Sequence, residues 1–140
     1  MLKTIMIIDD EEDIRTYLTA VLEDSGFQTC TPEEEENVIE SLQRQQPDLI
    51  LLDIMMPRRS GISIYRDLRT TSGFEYIPVA LISGIEKASG FFSGEFKTLM
   101  NEMNLKPPDG FIEKPIEIKQ LIDVVEKILE TKGGAIESIA

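Results

Sequence analysis

Four short apolar runs in this 140-residue sequence end on side chains that could do chemistry. "KTIMII" leads into Asp9 and Asp10, "LILL" into Asp53, "IPVALI" into Ser83 and "GFIE" into Lys114. Each group alone has an ordinary use: an aspartate after a strand caps a helix or makes a turn, and a lone serine or lysine is solvated surface. Gathered at one edge of a sheet they would be something else. Three clustered carboxylates repel, and one takes up a proton unless a cation neutralises them. A hard divalent ion suits such a set, and Mg²⁺ binds a few carboxylates at about 2.0–2.1 Å while keeping several waters. Its open positions would accept phosphate oxygens, with Lys114 pairing with a further oxygen and Ser83 donating to another. Asp53, in the middle run, is the carboxylate placed to act as nucleophile and form an aspartyl phosphate.

Composition narrows the alternatives. The chain has no histidine, which excludes an imidazole base and the nucleophile systems that need one. Cys30 is the only cysteine, so there is no internal disulfide and no zinc ligand set, a pattern suited to a reducing cytoplasm. A net charge of -12 repels phosphate backbones and anionic lipid, which argues against direct nucleic-acid or membrane binding. The opening "MLKTIMIIDD" is too short in apolar residues for a signal peptide or a membrane span.

The elements that must position these groups alternate in type. Strand-length segments fall at 3–9, 27–30, 48–53, 77–83 and 110–114, several apolar on successive residues, as strands buried on both faces are. Between them Ile14, Tyr17, Leu18, Val21 and Leu22 form one helical stripe that stops at Gly26. Thr31, Pro32 and Glu34 read as the cap, first-turn proline and capping box of a second helix, with Val38, Ile39 and Leu42 facing inward. A third helix is predicted from Ile62 to about Thr71, facing inward through Ile64, Tyr65 and Leu68. The last helix carries Ile118, Leu121, Ile122, Val125, Ile128 and Leu129 and is expected to stop at Gly133 and Gly134. This predicts one α/β domain over 1–131, a (βα)5 doubly wound parallel five-stranded sheet in three α/β/α layers, and a short disordered tail over 132–140. In that architecture ligands collect at the carboxyl ends of the strands.

With those motifs in place the chain resembles a response-regulator receiver domain of two-component signalling, CheY-like within the flavodoxin-like folds. "IIDDE" (7–11) resembles the family's acidic pair, "LLDIMMPRRSG" (51–61) its phosphoacceptor segment, "ALIS" (80–83) the strand ending in Ser or Thr, and "GFIEKP" (110–115) its Lys-Pro segment. The resemblance implies that Asp53 takes the phosphoryl group from a histidine kinase or a histidine phosphotransfer protein. It implies that Asp9, Asp10, Asp53 and the Met55 carbonyl hold Mg²⁺, and that Ser83, Lys114 and an aromatic switch at Phe111 respond. It also implies a cis Lys114-Pro115 bond, a downstream protein partner, a cytoplasmic location and a homodimer through the face of the fourth helix, fifth strand and last helix.

Two departures stand out. Phe111 lacks the hydroxyl that the family's switch residue often carries. The segment between Ser83 and Lys114 is longer than the family normally has, with Phe91 and Phe92 between glycines and then Phe96, Leu99, Met100 and Met103 at helical spacing. Those residues either join the core or form a partner surface. Other readings are a degenerate receiver that binds partners without phosphate, an aspartate-nucleophile phosphatase and a flavodoxin-like cofactor protein. The phosphatase is disfavoured because position 55, where a second aspartate is usual, is methionine. The cofactor protein is disfavoured because "DDEED" would repel a flavin phosphate.

Overall fold

A computed structural model of the chain describes residues 2–33, 37–54, 56, 61–84 and 95–139, with backbone alone at 95–97, 99 and 131–139. Its strands are β1 (Thr4–Ile8), β2 (Gln28–Cys30), β3 (Leu49–Asp53), β4 (Val79–Gly84) and β5 (Gly110–Lys114). The helices among the described residues are α1 (Glu12–Asp24), α2 (Val38–Gln45), α3 (Gly61–Thr70), α4 (Glu95–Met103) and α5 (Ile118–Ile139). All strand pairs are parallel, in the order β2-β1-β3-β4-β5. The order reverses direction beside β1 and β3, which places the topological switch point at the ends of those two strands.

Successive side chains of a strand point to opposite faces, and here both faces are covered. Met6, Ile8, Ile50, Leu52, Val79 and Leu81 pack with Val38 and Leu42 of α2, Ile64, Tyr65 and Leu68 of α3, and Met100 of α4. Their neighbours Ile5, Ile7, Leu49, Leu51, Ala80, Ile82 and Ile112 pack with Leu18 and Leu22 of α1 and Leu121, Val125 and Ile128 of α5. The apolar runs are continuous because they feed two cores at once. Of the predicted stripes, Tyr17 and Ile118 are the exceptions, 37% and 54% exposed.

Helix α1 ends as Gly26 predicts: at φ +97° it lets Phe27 N–H reach the Leu22 carbonyl (3.0 Å) and its own N–H the Glu23 carbonyl (3.1 Å). The second helix departs from expectation. It starts at Val38, not at Thr31-Pro32, because Asn37 makes the cap: its Oδ1 accepts the Glu40 N–H at 2.8 Å and its Nδ2 donates to the Glu40 carboxylate at 3.1 Å. Glu34 lies outside the described residues. The last helix runs on through Gly133 and Gly134 to Ile139, over the stretch expected to be a disordered tail. A glycine inside a helix costs about 1 kcal/mol relative to alanine and does not by itself stop one.

The lengthened segment is described from α4 onward. Met100 is buried in the core, Met103 is half-buried, and Asn104 closes the helix at φ +54°. Phe91 and Phe92 lie outside the described residues. No helix among the described residues is long and apolar enough to cross a membrane.

Candidate functional site

Register and alternation together bring the strand-end residues to one place. Ile8 pairs with Leu52, so Asp9 and Asp53 follow side by side at the ends of β1 and β3. Asp53 pairs with Ile82, and Gly84 pairs with Lys114, so the end of β5 lies next but one to that of β3. Leu51 and Ile112 face the α1/α5 core, and Asp53 and Lys114, each two residues on, face the same way. The lysine reaches across β4 to the carboxylates. Its Nζ stands 3.2 Å from Asp53 Oδ2, 3.6 Å from Asp9 Oδ2 and 3.9 Å from Glu11 Oε1.

Asp9 and Asp53 are only 4% and 3% exposed, and Lys114 keeps 23% of its side chain in contact with solvent. Burial, and then the neighbouring Asp53 charge, push the Asp9 carboxyl above its ordinary range; the Glu11 N–H on Oδ1 (2.8 Å) and Lys114 oppose this in part. Burial pulls Lys114 down, but Asp53, Asp9 and Glu11 outweigh it and its pKa is raised. Asp9 Oδ2 is buried and accepts no hydrogen bond among the described residues, an oxygen available to a cation. Among the described residues, no three acidic side chains are drawn together closely enough to make a metal centre unaided.

The raised Asp9 pKa carries a stability consequence. The folded state holds this proton to higher pH than the unfolded chain, so Asp9 costs stability as pH rises from its unfolded value of 3.8 through the folded one. Asp9→Asn is therefore expected to stabilise the metal-free protein at pH 7 by about 1 kcal/mol. Urea unfolding in a chelator should show that gain shrinking as pH falls toward 3.8. An Asn variant less stable than wild type at pH 7 would contradict this account.

The other predicted residues fall near the same edge. Asp10 follows Asp9 in the β1–α1 turn, half-buried. Ser83 is fully buried at the end of β4 and donates to the Gly84 carbonyl at 3.4 Å. Ser83 and Phe111 flank Ile82 and Ile112 and so lie on the opposite sheet face from Asp53, with Phe111 42% exposed. Met55, with Pro57, Arg58 and Arg59, lies outside the described residues. The Lys114-Pro115 bond is cis. A separate cleft of about 540 Å³, lined by residues including Gln43, Pro47, Phe74 and Tyr76, opens beside the starts of β3 and β4, at the far end of the sheet.

Two positioning residues were not given their roles by sequence alone. Gly61 begins α3 against the end of β3: a Cβ there would overlap the Ile54 Cα and lie 2.5 Å from the Asp53 carbonyl oxygen. Arg69, its side chain fully buried, donates from Nε to the Tyr65 hydroxyl (3.0 Å) and from Nη1 to the Ile77 carbonyl (2.7 Å). Its Nη2 lies 3.5 Å from Asp109 Oδ2. Arg69 stands four residues after inward-facing Tyr65, a spacing that puts it on the buried face; that was the available signal.

Known proteins point the same way. The family model for the response regulator receiver domain matches residues 5–126. The chain is 30% identical over 129 residues to the phosphate regulon transcriptional regulatory protein PhoB of Escherichia coli (strain K12), covering 92% of this chain and 52% of that protein. It spans about half the length of such relatives. The receiver domain of NtrX from Brucella abortus superposes with a TM-score of 0.73 at 29% identity, covering 91% of this chain and 98% of that one. The chemotaxis response regulator CheY4 of Vibrio cholerae shares the fold, with a TM-score of 0.69 at 20% identity, covering 91% of this chain and 99% of that one. A parallel sheet in this strand order, with Lys114 in contact with both Asp9 and Asp53 at the strand ends, and a family match across most of the sequence lead to one assignment: the chain belongs to the response regulator receiver domain family.

Proposed function

We propose that the chain is a phosphoacceptor module in which Asp53 takes a phosphoryl group from the phosphohistidine of a histidine kinase or histidine phosphotransfer protein. The observation that carries this reading is the contact of Lys114 Nζ with Asp53 Oδ2 and Asp9 Oδ2 at the strand ends. An Asp53 oxygen forms the new P–O bond as the donor's P–N bond breaks and its electron pair returns to the imidazole. Lys114 is placed to hold charge on the transferred group's oxygens, and Ser83 has a hydroxyl that can turn from the Gly84 carbonyl to a phosphoryl oxygen.

The donor set fits Mg²⁺: oxygen ligands, the Asp9 and Asp53 carboxylates that share Lys114, and the buried Asp9 Oδ2 that accepts no hydrogen bond among the described residues. Asp9, Asp10, Asp53 and the Met55 carbonyl would hold it, and when bound it supplies neutralisation of the charge that gathers on the phosphoryl oxygens. Phe111, on the same sheet face as Ser83, is the residue through which phosphorylation would reach the α4-β5-α5 surface. That surface would meet a downstream protein or a second copy of the chain. The net charge of -12 disfavours direct contact of this domain with nucleic acid, and the single cysteine suits a reducing cytoplasm.

Incubation with a small phosphodonor and Mg²⁺, read by intact mass, tests the proposal. Wild type should gain the mass of one phosphoryl group, and Asp53→Asn and chelator-treated wild type should gain none. Equal labelling of the Asn variant would sink Asp53 as acceptor. Labelling that persists without metal would sink the Mg²⁺ role, and no labelling of wild type alongside a competent receiver would leave a phosphate-independent interaction module.

A further inference from the structure

Asp9 to Asp13 are five consecutive acidic residues, and Arg15 is the only basic residue between Lys3 and Arg44. On a helix surface, Arg15 would be expected to pair with Glu11 or Glu12, three or four positions before it. Among the described residues it pairs with neither. Its Nη1 donates instead to the main-chain carbonyl of Asp9 at 2.7 Å, from a half-buried position. Its own N–H bonds the Glu11 carbonyl at 3.1 Å, and the Glu11 N–H bonds Asp9 Oδ1 at 2.8 Å. The β1–α1 turn is thus closed by a chain of bonds running from Arg15 through Glu11 to one oxygen of Asp9. The other oxygen, Oδ2, is left facing Lys114.

We infer that Arg15 is a positioning residue for the cation site: its guanidinium ties the Asp9 carbonyl so that Asp9 Oδ2 stays aimed at the ends of β3 and β5. The inference rests on the Mg²⁺-dependent phosphoacceptor reading and deepens it. Without the tie, the peptide after Asp9 is free to rotate, and repulsion along the acidic run favours turning the Asp9 carboxylate toward water. The guanidinium touches neither carboxylate oxygen nor any transferred group. It also sets a second positive charge, beside that of Lys114, in a stretch of five acidic residues. Outer-sphere groups that orient a ligand typically change metal affinity by about 10- to 100-fold when lost.

Two substitutions separate the tie from packing. Arg15→Met keeps an aliphatic stem and loses the donor; Arg15→Lys keeps a cation able to make one bond to the same carbonyl. The Mg²⁺ dissociation constant, followed by backbone amide shifts, is expected to rise about tenfold in the Met variant and to stay within about threefold of wild type in the Lys variant. Exchange of the Glu11 amide in metal-free protein should quicken in the Met variant only. Labelling of Asp53 should slow in the Met variant at limiting Mg²⁺ and recover at saturation. Wild-type Mg²⁺ affinity in the Met variant, or equal losses in both variants, overturns the role of Arg15 while leaving the phosphoacceptor reading intact. A wild-type protein that shows no Mg²⁺ response overturns both.

Discussion

Arg69→Met is expected to lower the free energy of unfolding by about 3–5 kcal/mol, a large share of what holds a domain of this size together. The guanidinium bonds the carbonyls of Ile77 and Glu75 (2.7 and 3.3 Å) and lies over the Tyr65 ring, 4.9 Å from its centroid. Asp109 is held by Arg69, by Lys106 (3.1 Å) and by the Val79 N–H (2.9 Å). The Tyr65 hydroxyl donates to the Lys106 carbonyl at 2.6 Å, and burial pushes its pKa up to about 12. One side chain therefore joins the end of α3, the loop before β4 and the loop before β5. Methionine fills much of the space but leaves Asp109 short of a cation and two carbonyls short of donors, and burial makes that costly. Urea denaturation checks it. In a double-mutant cycle with Asp109→Asn, the two losses should fall well short of additive. A loss under about 1 kcal/mol would mean that water replaces the guanidinium and that the network is not structural.

The second large effect is expected at Gly61. An alanine Cβ would meet backbone atoms of Asp53 and Ile54, which cannot swing aside as a flexible side chain can. Either the start of α3 lifts from the sheet or the end of β3 shifts. Gly61→Ala should cost about 2–3 kcal/mol as overpacking. Because the strained atoms carry the proposed nucleophile, labelling of Asp53 by a small phosphodonor should also slow by about 10- to 100-fold at saturating Mg²⁺. Here Gly61 differs from Arg15, whose loss is expected to be overcome by metal. A Gly61→Ala protein that is destabilised yet labels at the wild-type rate would show that the strain is absorbed by α3 and never reaches Asp53.

These two sites also show where sequence reading stopped. Gly61 was legible as part of a phosphoacceptor segment, but its contact with the Asp53 backbone is a matter of how closely a helix start approaches a strand end. Arg69 and Asp109 are 40 positions apart, and no local pattern couples them. The start of α2 at Val38 has a different cause. Thr31-Pro32 and Asn37 both offer good caps, and the choice between them falls to the docking of Val38 and Leu42 on the sheet, with Ser41 Oγ accepting the Glu33 N–H at 3.2 Å.

What the sequence by itself determined was the layering and the set of candidate side chains at the strand ends. Continuous apolar runs of strand length such as Leu49 to Leu52 imply strands buried on both faces, and a charge that ends such a run belongs at the sheet's edge, because desolvating it further inside would cost too much. The strand ends therefore offered Asp9, Asp10, Asp53, Ser83 and Lys114 as candidates without a structure. Only the tertiary structure decided which of them touch. Parallel register sets Asp9 beside Asp53 and brings Lys114 across β4 to both, while alternation turns Ser83 and Phe111 to the other face. Burial is written in local periodicity; contact depends on register between strands far apart in the chain, and that is settled only when the sheet assembles.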